Sequence, residues 1–345
     1  MKKAKHIAQV HPPAGIPGGE VTVEFTEPAT TEAIPPDVWL GKQRAHLVAG
    51  NARRLLVLIP SITSGGEIQV SLGREGETKS IGTANTFTAA SKLAGGLHPV
   101  ANPAFDPADD SLFVTRSGSR GEHVPISMFR IARDGIVSEF SGDIINPTAI
   151  AFDKKGQMFV TSRFDGCVYR VTPLKEVIEF ASELGIATGL AFNRDGEMFV
   201  GDRSGTIFRV NEIGEAKPWV QLEASVSAYH LAFGPDDSLY VAGPTVSSFD
   251  SITRFDREGQ ASVFYRGLGR PQGLAFDRQG NLYVAASLRG RRGIVGISPD
   301  GLTAKIVVAG MNVIGLAFSS QGEMIVVTNE SIYSLPLGIH GTLLE

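Results

Sequence analysis

Pro271-Gln272-Gly273-Leu274-Ala275-Phe276-Asp277, followed by Gly280-Asn281-Leu282-Tyr283-Val284-Ala285, is the stretch on which the reading of this chain turns. Its Ala-Phe pair recurs at Ala104-Phe105, Ala151-Phe152, Ala191-Phe192, Ala232-Phe233 and Ala317-Phe318, a period of about 40 residues. Each copy continues with a polar turn, an apolar triplet such as Met158-Phe159-Val160, and a second hairpin, so one unit reads as four short strands. In the second copy the pattern predicts strands over 147–152, 158–161, 167–171 and 177–180, with a turn over 153–156. Gly156, Gly196, Gly280 and Gly322 hold the same place in their copies, where a hairpin residue with positive φ favours glycine. The copies at 106–110 and 234–237 turn through Pro and Asp instead.

A four-stranded sheet of this length cannot bury both faces by itself. Stacking each sheet on its neighbours around an axis does so and leaves no long open edge, so six copies predict a six-bladed β-propeller. The repeated Phe is expected as the wedge between adjacent blades, worth ~1.5–3 kcal/mol each on burial. The Ala before it suits the crowding of inner strands.

Residues 6–88 lack this period and alternate in strand fashion: Val21-Thr22-Val23-Glu24-Phe25 and Ile68-Gln69-Val70-Ser71-Leu72 show period-two patterning, and 55–59 is a short apolar run. Pro12-Pro13, Gly18-Gly19, Pro35-Pro36 and Gly65-Gly66 punctuate them. The expected organisation is all-β: an immunoglobulin-like β-sandwich over 1–88, a segment over 89–96 that is either a linker or a strand handed across, and the propeller over 97–345. Both 86–92 and 341–344 stand open as the last outer strand of the ring.

The chain has 345 residues, 42% hydrophobic and 20% charged, with a formal charge of −4. That is the balance of a globular protein with a substantial core. Residues 1–90 carry nine Lys/Arg against eight Asp/Glu, so the excess acidity lies in the repeats and bulk attraction to nucleic acid or anionic membrane is not expected. Cys167 is the only thiol, which excludes an intrachain disulfide and CxxC sites. No run reaches the ~20 apolar residues of a membrane helix, and the residues after the basic Met1 to Lys5 never form a signal-peptide core. As written the chain reads as cytoplasmic, or extracytoplasmic if a leader was trimmed.

Two resemblances add to this reading. Pro13-Ala14-Gly15, Gly18-Gly19, Val21-Thr22-Val23, Val38-Trp39-Leu40-Gly41, 55–60, Gly66 and Val70 together resemble the IPT/TIG immunoglobulin-like domain, which implies a spacer, dimerisation or carbohydrate-associated module. The repeats, quoted above for the copy at 271–285, resemble NHL repeats and the related gluconolactonase/regucalcin propellers over 97–340. The second resemblance speaks to fold more than to activity, because propellers host enzymes, binders and scaffolds alike.

In gluconolactonase-like propellers the resemblance implies a divalent cation on Glu, Asn and Asp side chains four residues before the repeat aromatic. Those positions here are Ala101, Thr148, Thr188, Tyr229, Gln272 and Ile314, with no carboxylate among them. Asn102 and Asn312 lie one and two positions away and keep a displaced ligand open. Neutral side chains leave a hard cation's charge uncompensated, so no cofactor is expected. A ring of hydrogen-bonding groups from Thr148, Thr188, Tyr229 and Gln272 suits a neutral or sugar-like ligand, or simply axial water.

Arg116, Arg163 and Arg203 follow the second strand in consecutive repeats and form a candidate anion clamp, against which stand Asp165 and Asp202 as neutralising neighbours. Arg289-Gly290-Arg291-Arg292-Gly293, in a loop of the fifth repeat, is the densest basic segment and carries the RNA-binding alternative, although no aromatics interleave it. His230, beside Tyr229, lacks a nucleophile in its repeat and reads as structural more readily than catalytic. No Gly-x-Ser-x-Gly elbow or Walker sequence occurs; Gly118-Ser119-Arg120-Gly121 and Gly65-Gly66 resemble turns. Cys167 reads as buried filler.

The leading expectation is therefore a non-catalytic binding or interaction protein whose propeller mouth recognises a small polar molecule, a glycan or a protein segment. A lactone or ester hydrolase with atypical metal ligands and an RNA-binding propeller are the alternatives.

Overall fold

The computed structural model describes residues 7–26, 35–61, 64–73, 82–119, 121–141, 143–247 and 249–342. The basic start of the chain, Arg120 of the 118–121 turn and Leu344 lie outside the described residues. Within them the secondary structure is all strand and turn, and no helix is long and apolar enough to cross a membrane.

The Ala-Phe copies fold as sets of four antiparallel strands, numbered here as repeats in chain order; repeats 4 and 5 are continuous in one larger sheet, where Leu268 and Gly269 pair with Leu288 and Ser287. Repeat 2 is typical: Pro147–Phe152, Met158–Ser162, Cys167–Val171 and Val177–Ala181 pair in succession. Repeats 1, 3, 4 and 5 begin with Ala104–Phe105, Ala187–Phe192, His230–Phe233 and Leu274–Phe276, and repeat 6 with Val313–Phe318. Each of these inner strands contacts the next, and that of repeat 6 contacts that of repeat 1, which closes the path of contacts. The turn glycines adopt the positive φ the pattern calls for, 72° at Gly156 and 82° at Gly280, and Asp110 and Asp237 take the same left-handed place at 60° and 57°.

Five of the six repeat Phe residues meet an aromatic on the second strand of the preceding sheet. Phe152 meets Phe113, Phe192 meets Phe159, Phe233 meets Phe199, Phe276 meets Tyr240 and Phe318 meets Tyr283, at centroid separations of 5.9, 5.4, 5.1, 4.7 and 5.3 Å. The tilted and edge-on geometries favour the ring quadrupoles. Phe105 joins Ile325 of repeat 6 in one apolar cluster, completing the series.

The last outer strand comes from the beginning of the repeat region. Ser91–Gly95, within the segment 89–96, pairs with Ser331–Leu335 and completes repeat 6. The C-terminal tail goes elsewhere: Gly341 bridges Asp277, and Thr342 N–H donates to the Phe276 carbonyl at 3.0 Å.

Before the repeats, two sheets face one another across a shared core. Ile7–His11, Glu20–Phe25, Arg54–Leu58 and His46–Asn51 form one, and Asp37–Leu40, Gly66–Gly73 and Gly82–Ala89 belong to the other. Val21, Val23, Leu55 and Val57 from the first meet Val38, Leu40, Val70, Leu72 and Phe87 from the second. The apolar run at 55–59 therefore alternates in burial like its neighbours. A two-residue strand, Ala14–Gly15, joins this unit to the repeats by pairing in parallel with Thr88–Ala89 on one side and Val308–Ala309 of repeat 5 on the other. A Cβ on Gly19 would lie 2.6 Å from the Ala309 carbonyl, so only glycine permits this approach.

Candidate functional site

A cavity of about 750 Å³ opens where the inner strands begin and the middle hairpins turn, over repeats 4, 5 and 6. Arg270 and Gln272 enter it just ahead of the repeat 5 inner strand, and Asn312 and Ile314 come from the start of repeat 6. Ser287, Arg289 and Arg292 come from the middle hairpin of repeat 5, Asn329 from repeat 6 and Phe249 from a loop of repeat 4.

The hairpin is tighter than its sequence suggests. Arg291 to Gly293 lie in the strand Arg291–Ile297, so the basic segment expected as a loop is a two-residue turn of Arg289 and Gly290, with φ of 51° and 81°. A two-residue turn with both φ positive matches strand twist, but it normally selects Asn, Asp or Gly at the first place. Arg289 there costs roughly 1–2 kcal/mol of backbone strain. Arg270 is also left-handed, at φ 48°, in a place held by Asn146 and Asn312, at 47° and 55°, in repeats 2 and 6. Two arginines that face the cavity thus occupy positions that backbone energetics alone assigns to smaller residues.

Arg270, Arg289, Arg292, Gln272, Ser287, Asn312 and Asn329 line the cavity, and among the described residues no side-chain hydrogen bond or ion pair commits them elsewhere. Among the described residues no carboxylate lines it. Asp250, nearby, is buried and already accepts from Thr245 Oγ1 at 2.7 Å and from the Arg270 main chain at 3.3 Å. The lining is therefore positive and rich in neutral donors and acceptors. A second cavity of about 760 Å³ between repeats 1 and 2 mixes charges: Asp106, Asp109 and Glu139 face Arg130, Lys155, Arg170 and Lys175, and Arg130 pairs with Asp109.

The residues expected at the mouth scatter. Gln272 lines the cavity. Thr148 and Thr188 are buried in the ladder between inner strands, where the Thr115 hydroxyl donates to the Thr148 carbonyl at 3.0 Å and Thr188 Oγ1 accepts from the Tyr229 N–H at 3.0 Å. The Tyr229 ring packs on Gly243 and its Cβ on Gly201, its hydroxyl donates to the Glu223 carbonyl, and burial pushes its phenol up to about 12. His230 is buried at the start of its strand, away from the cavity; burial pushes it down to about 4, and its Nε2 has no partner among the described residues.

Arg116, Arg163 and Arg203 do not meet in the 750 Å³ cavity. Arg163 donates to the Gly118 carbonyl at 2.9 Å, and Arg203 donates to the carbonyls of Ser225 and Val226 at 3.2 and 2.9 Å, so both hold neighbouring loops. Arg116 is half-buried after its strand, with its main-chain N–H on the Ser127 carbonyl. The expected neutralising partners are engaged elsewhere: Asp165 accepts from the Cys167 N–H and the Tyr169 hydroxyl, and Asp202 from the Ile186 N–H and the Ser204 hydroxyl. Burial pushes the Cys167 thiol up to about 11, which leaves it protonated and poorly nucleophilic.

The donor set ahead of the repeat aromatics does not fit a divalent cation. Ala101 and Ile314 offer no side-chain donor, Thr148, Thr188 and Tyr229 are neutral and engaged, and Asn102 spans from the Leu274 carbonyl to the Leu316 N–H, both at 3.0 Å. Among the described residues no group of three or more His, Cys, Asp or Glu is placed to hold a metal ion.

The fold is gluconolactonase-like and propeller-like, and its likeness to solved structures rests on shape, not sequence. An auxiliary nutrient binding protein from Bacteroides thetaiotaomicron is 15% identical with a TM-score of 0.57, covering 97% of this chain and 98% of that one. A gluconolactonase from Xanthomonas campestris is 18% identical with a TM-score of 0.57, covering 72% of this chain and 89% of that one. A calcium-binding regucalcin from Agrobacterium tumefaciens is 15% identical with a TM-score of 0.56, covering 74% of this chain and 96% of that one. No protein-family model matches the chain, and no curated protein matches it.

Arg270, Ser287, Asn329 and Phe249 are the lining residues that sequence reasoning missed. Arg270 carried a signal, since it stands immediately before the Pro271-Gln272-Gly273 opening of its repeat. Ser287 and Asn329 carried one too, since they hold the place after the second strand that Arg163 and Arg203 hold in their repeats; Phe249 carried none, because it lies outside the repeated motif.

Proposed function

We propose that this chain is a non-catalytic binding protein: an immunoglobulin-like sandwich followed by a six-bladed propeller that takes a small polar ligand, a glycan or a protein segment in the cavity over repeats 4 to 6. The observation that carries this reading is the set of uncommitted polar side chains around one cavity that holds no acid–base pair. The likeness to a nutrient binding protein over 97% of the chain agrees with it. The sandwich, joined to repeat 5 through Ala14–Gly15, serves as a rigid support.

Thermal-shift and titration screening with sugars, lactones and organic anions tests the proposal. A ligand present at a hundred times its Kd stabilises by ~2.7 kcal/mol. A panel without a single shift, for a chain that also captures no partner, removes the reading. The gluconolactonase neighbour supports a second reading, lactone hydrolysis. Chelator-sensitive turnover in a pH-stat lactone assay would establish that reading in place of the first.

A further inference from the structure

We propose that the cavity over repeats 4 to 6 recognises an acidic saccharide, with the anionic group held by Arg270, Arg289 and Arg292 and the apolar face of a sugar ring laid on Phe249. This deepens the binding reading above and rests on it. Three arginines line one cavity, and among the described residues no carboxylate lines it. Guanidinium recognises carboxylate, phosphate and sulfate through paired donors. Among the described residues no ion pair engages these groups, and the nearby Asp250 is occupied by the Thr245 hydroxyl and the Arg270 main chain, so a ligand anion can reach the three side chains.

The rest of the lining narrows the class. Phe249 is 64% exposed although it is a large aromatic, and its ring rests against Gly267, whose missing side chain leaves room for it. An exposed aromatic at a cavity wall is a platform for the C–H face of a sugar ring. Gln272, Ser287, Asn312 and Asn329 supply donors and acceptors of the kind that hydroxyl groups satisfy. A volume of about 750 Å³ accommodates a ligand on the scale of a mono- or disaccharide. Stacking of successive nucleobases calls for more than one exposed ring, and among the described residues Phe249 is the only aromatic lining the cavity. The left-handed backbone at Arg270 and Arg289 adds an independent sign, because strain of this kind persists where a side chain is needed in place.

Calorimetric titration of the full chain at low and high salt tests the inference, with digalacturonate, a neutral disaccharide, glucose 6-phosphate and a uridylate oligomer as probes. The expected result is that an acidic sugar binds at least tenfold more tightly than the neutral disaccharide and weakens as salt rises. Preference for digalacturonate or for glucose 6-phosphate identifies the anion as carboxylate or phosphate. Arg270→Gln and Arg289→Gln each lower that affinity by roughly tenfold or more, whereas Phe249→Ala weakens acidic and neutral sugars alike. Arg289→Gln is exposed, so an unchanged melting midpoint certifies its fold. Equal binding of neutral and acidic sugars, untouched by either arginine substitution, overturns the acidic class and leaves the binding reading standing. Binding of the uridylate oligomer alone overturns the saccharide. Failure of every probe here overturns the acidic saccharide; failure throughout the wider ligand screen as well, for a chain that also captures no partner, removes the binding reading too.

Discussion

Replacing Phe192 with alanine tests the interlock between neighbouring sheets. Phe192 is 6% exposed, its ring centroid lies 5.4 Å from that of Phe159 at 61°, and Phe159 in turn meets Phe180 at 5.1 Å. Removing the ring forfeits ~1.5–3 kcal/mol of burial and ~0.5–1.5 kcal/mol of aromatic pairing. Leu190, Met198 and Val200 in the same cluster sit on strands held by their own ladders, so they cannot move in to fill the space. The expected loss is therefore ~3–5 kcal/mol, the full cost of a large-to-small change at a site that does not collapse. With a urea dependence of ~3 kcal/mol per molar, the unfolding midpoint drops by ~1–1.7 M. Fluorescence and circular dichroism followed together through the transition provide the measurement, and Val246→Ala, at a site 96% exposed, provides the control. A drop of less than ~0.3 M for Phe192→Ala would refute the wedge argument.

Three further outcomes follow from the structure. His230 is neutral when folded, with a pKa near 4 against 6.5 unfolded, so its contribution is present above pH 6.5 and is lost as pH falls toward 4, by at most ~3 kcal/mol; His230→Leu should flatten that part of the stability profile, and an unchanged acid limb would contradict the burial argument. Gly19→Ala drives a Cβ into the Ala309 carbonyl and should loosen the N-terminal sheets from repeat 5, seen as faster proteolysis near residue 90; an unaltered digestion pattern would mean that the contact does not hold the two units. Arg289→Gly should relieve left-handed strain and raise stability by ~1 kcal/mol while weakening the ligand, and a loss of stability would show that the arginine also supports the hairpin.

Much of the strand order was legible in the chain. The predicted strands of repeat 2 end within a residue of those observed, because the alternation of Pro147–Phe152 and the glycine at 156 are local signals. The site was legible only in part. Counting four back from each Phe found Gln272 at the cavity but also Thr148, Thr188 and Tyr229, which the structure uses between strands. Equivalent places in a repeat share backbone geometry but not neighbours. The arginine-rich hairpin was visible as composition, yet its two-residue turn and its position beside Arg270 were not.

The sequence by itself determined the hairpin turns, which depend on residues a few positions apart, and the repeat period with its recurring Phe, which self-similarity along the chain displays. Tertiary structure alone decided that Ser91–Gly95 completes repeat 6, that Ala14–Gly15 bonds to repeat 5, and that Arg270, Arg289, Arg292 and Phe249 face one cavity. The reason is closure: only when the sheets meet around the ring do strand ends from different repeats come within reach of one ligand, and no local pattern records which ends will meet.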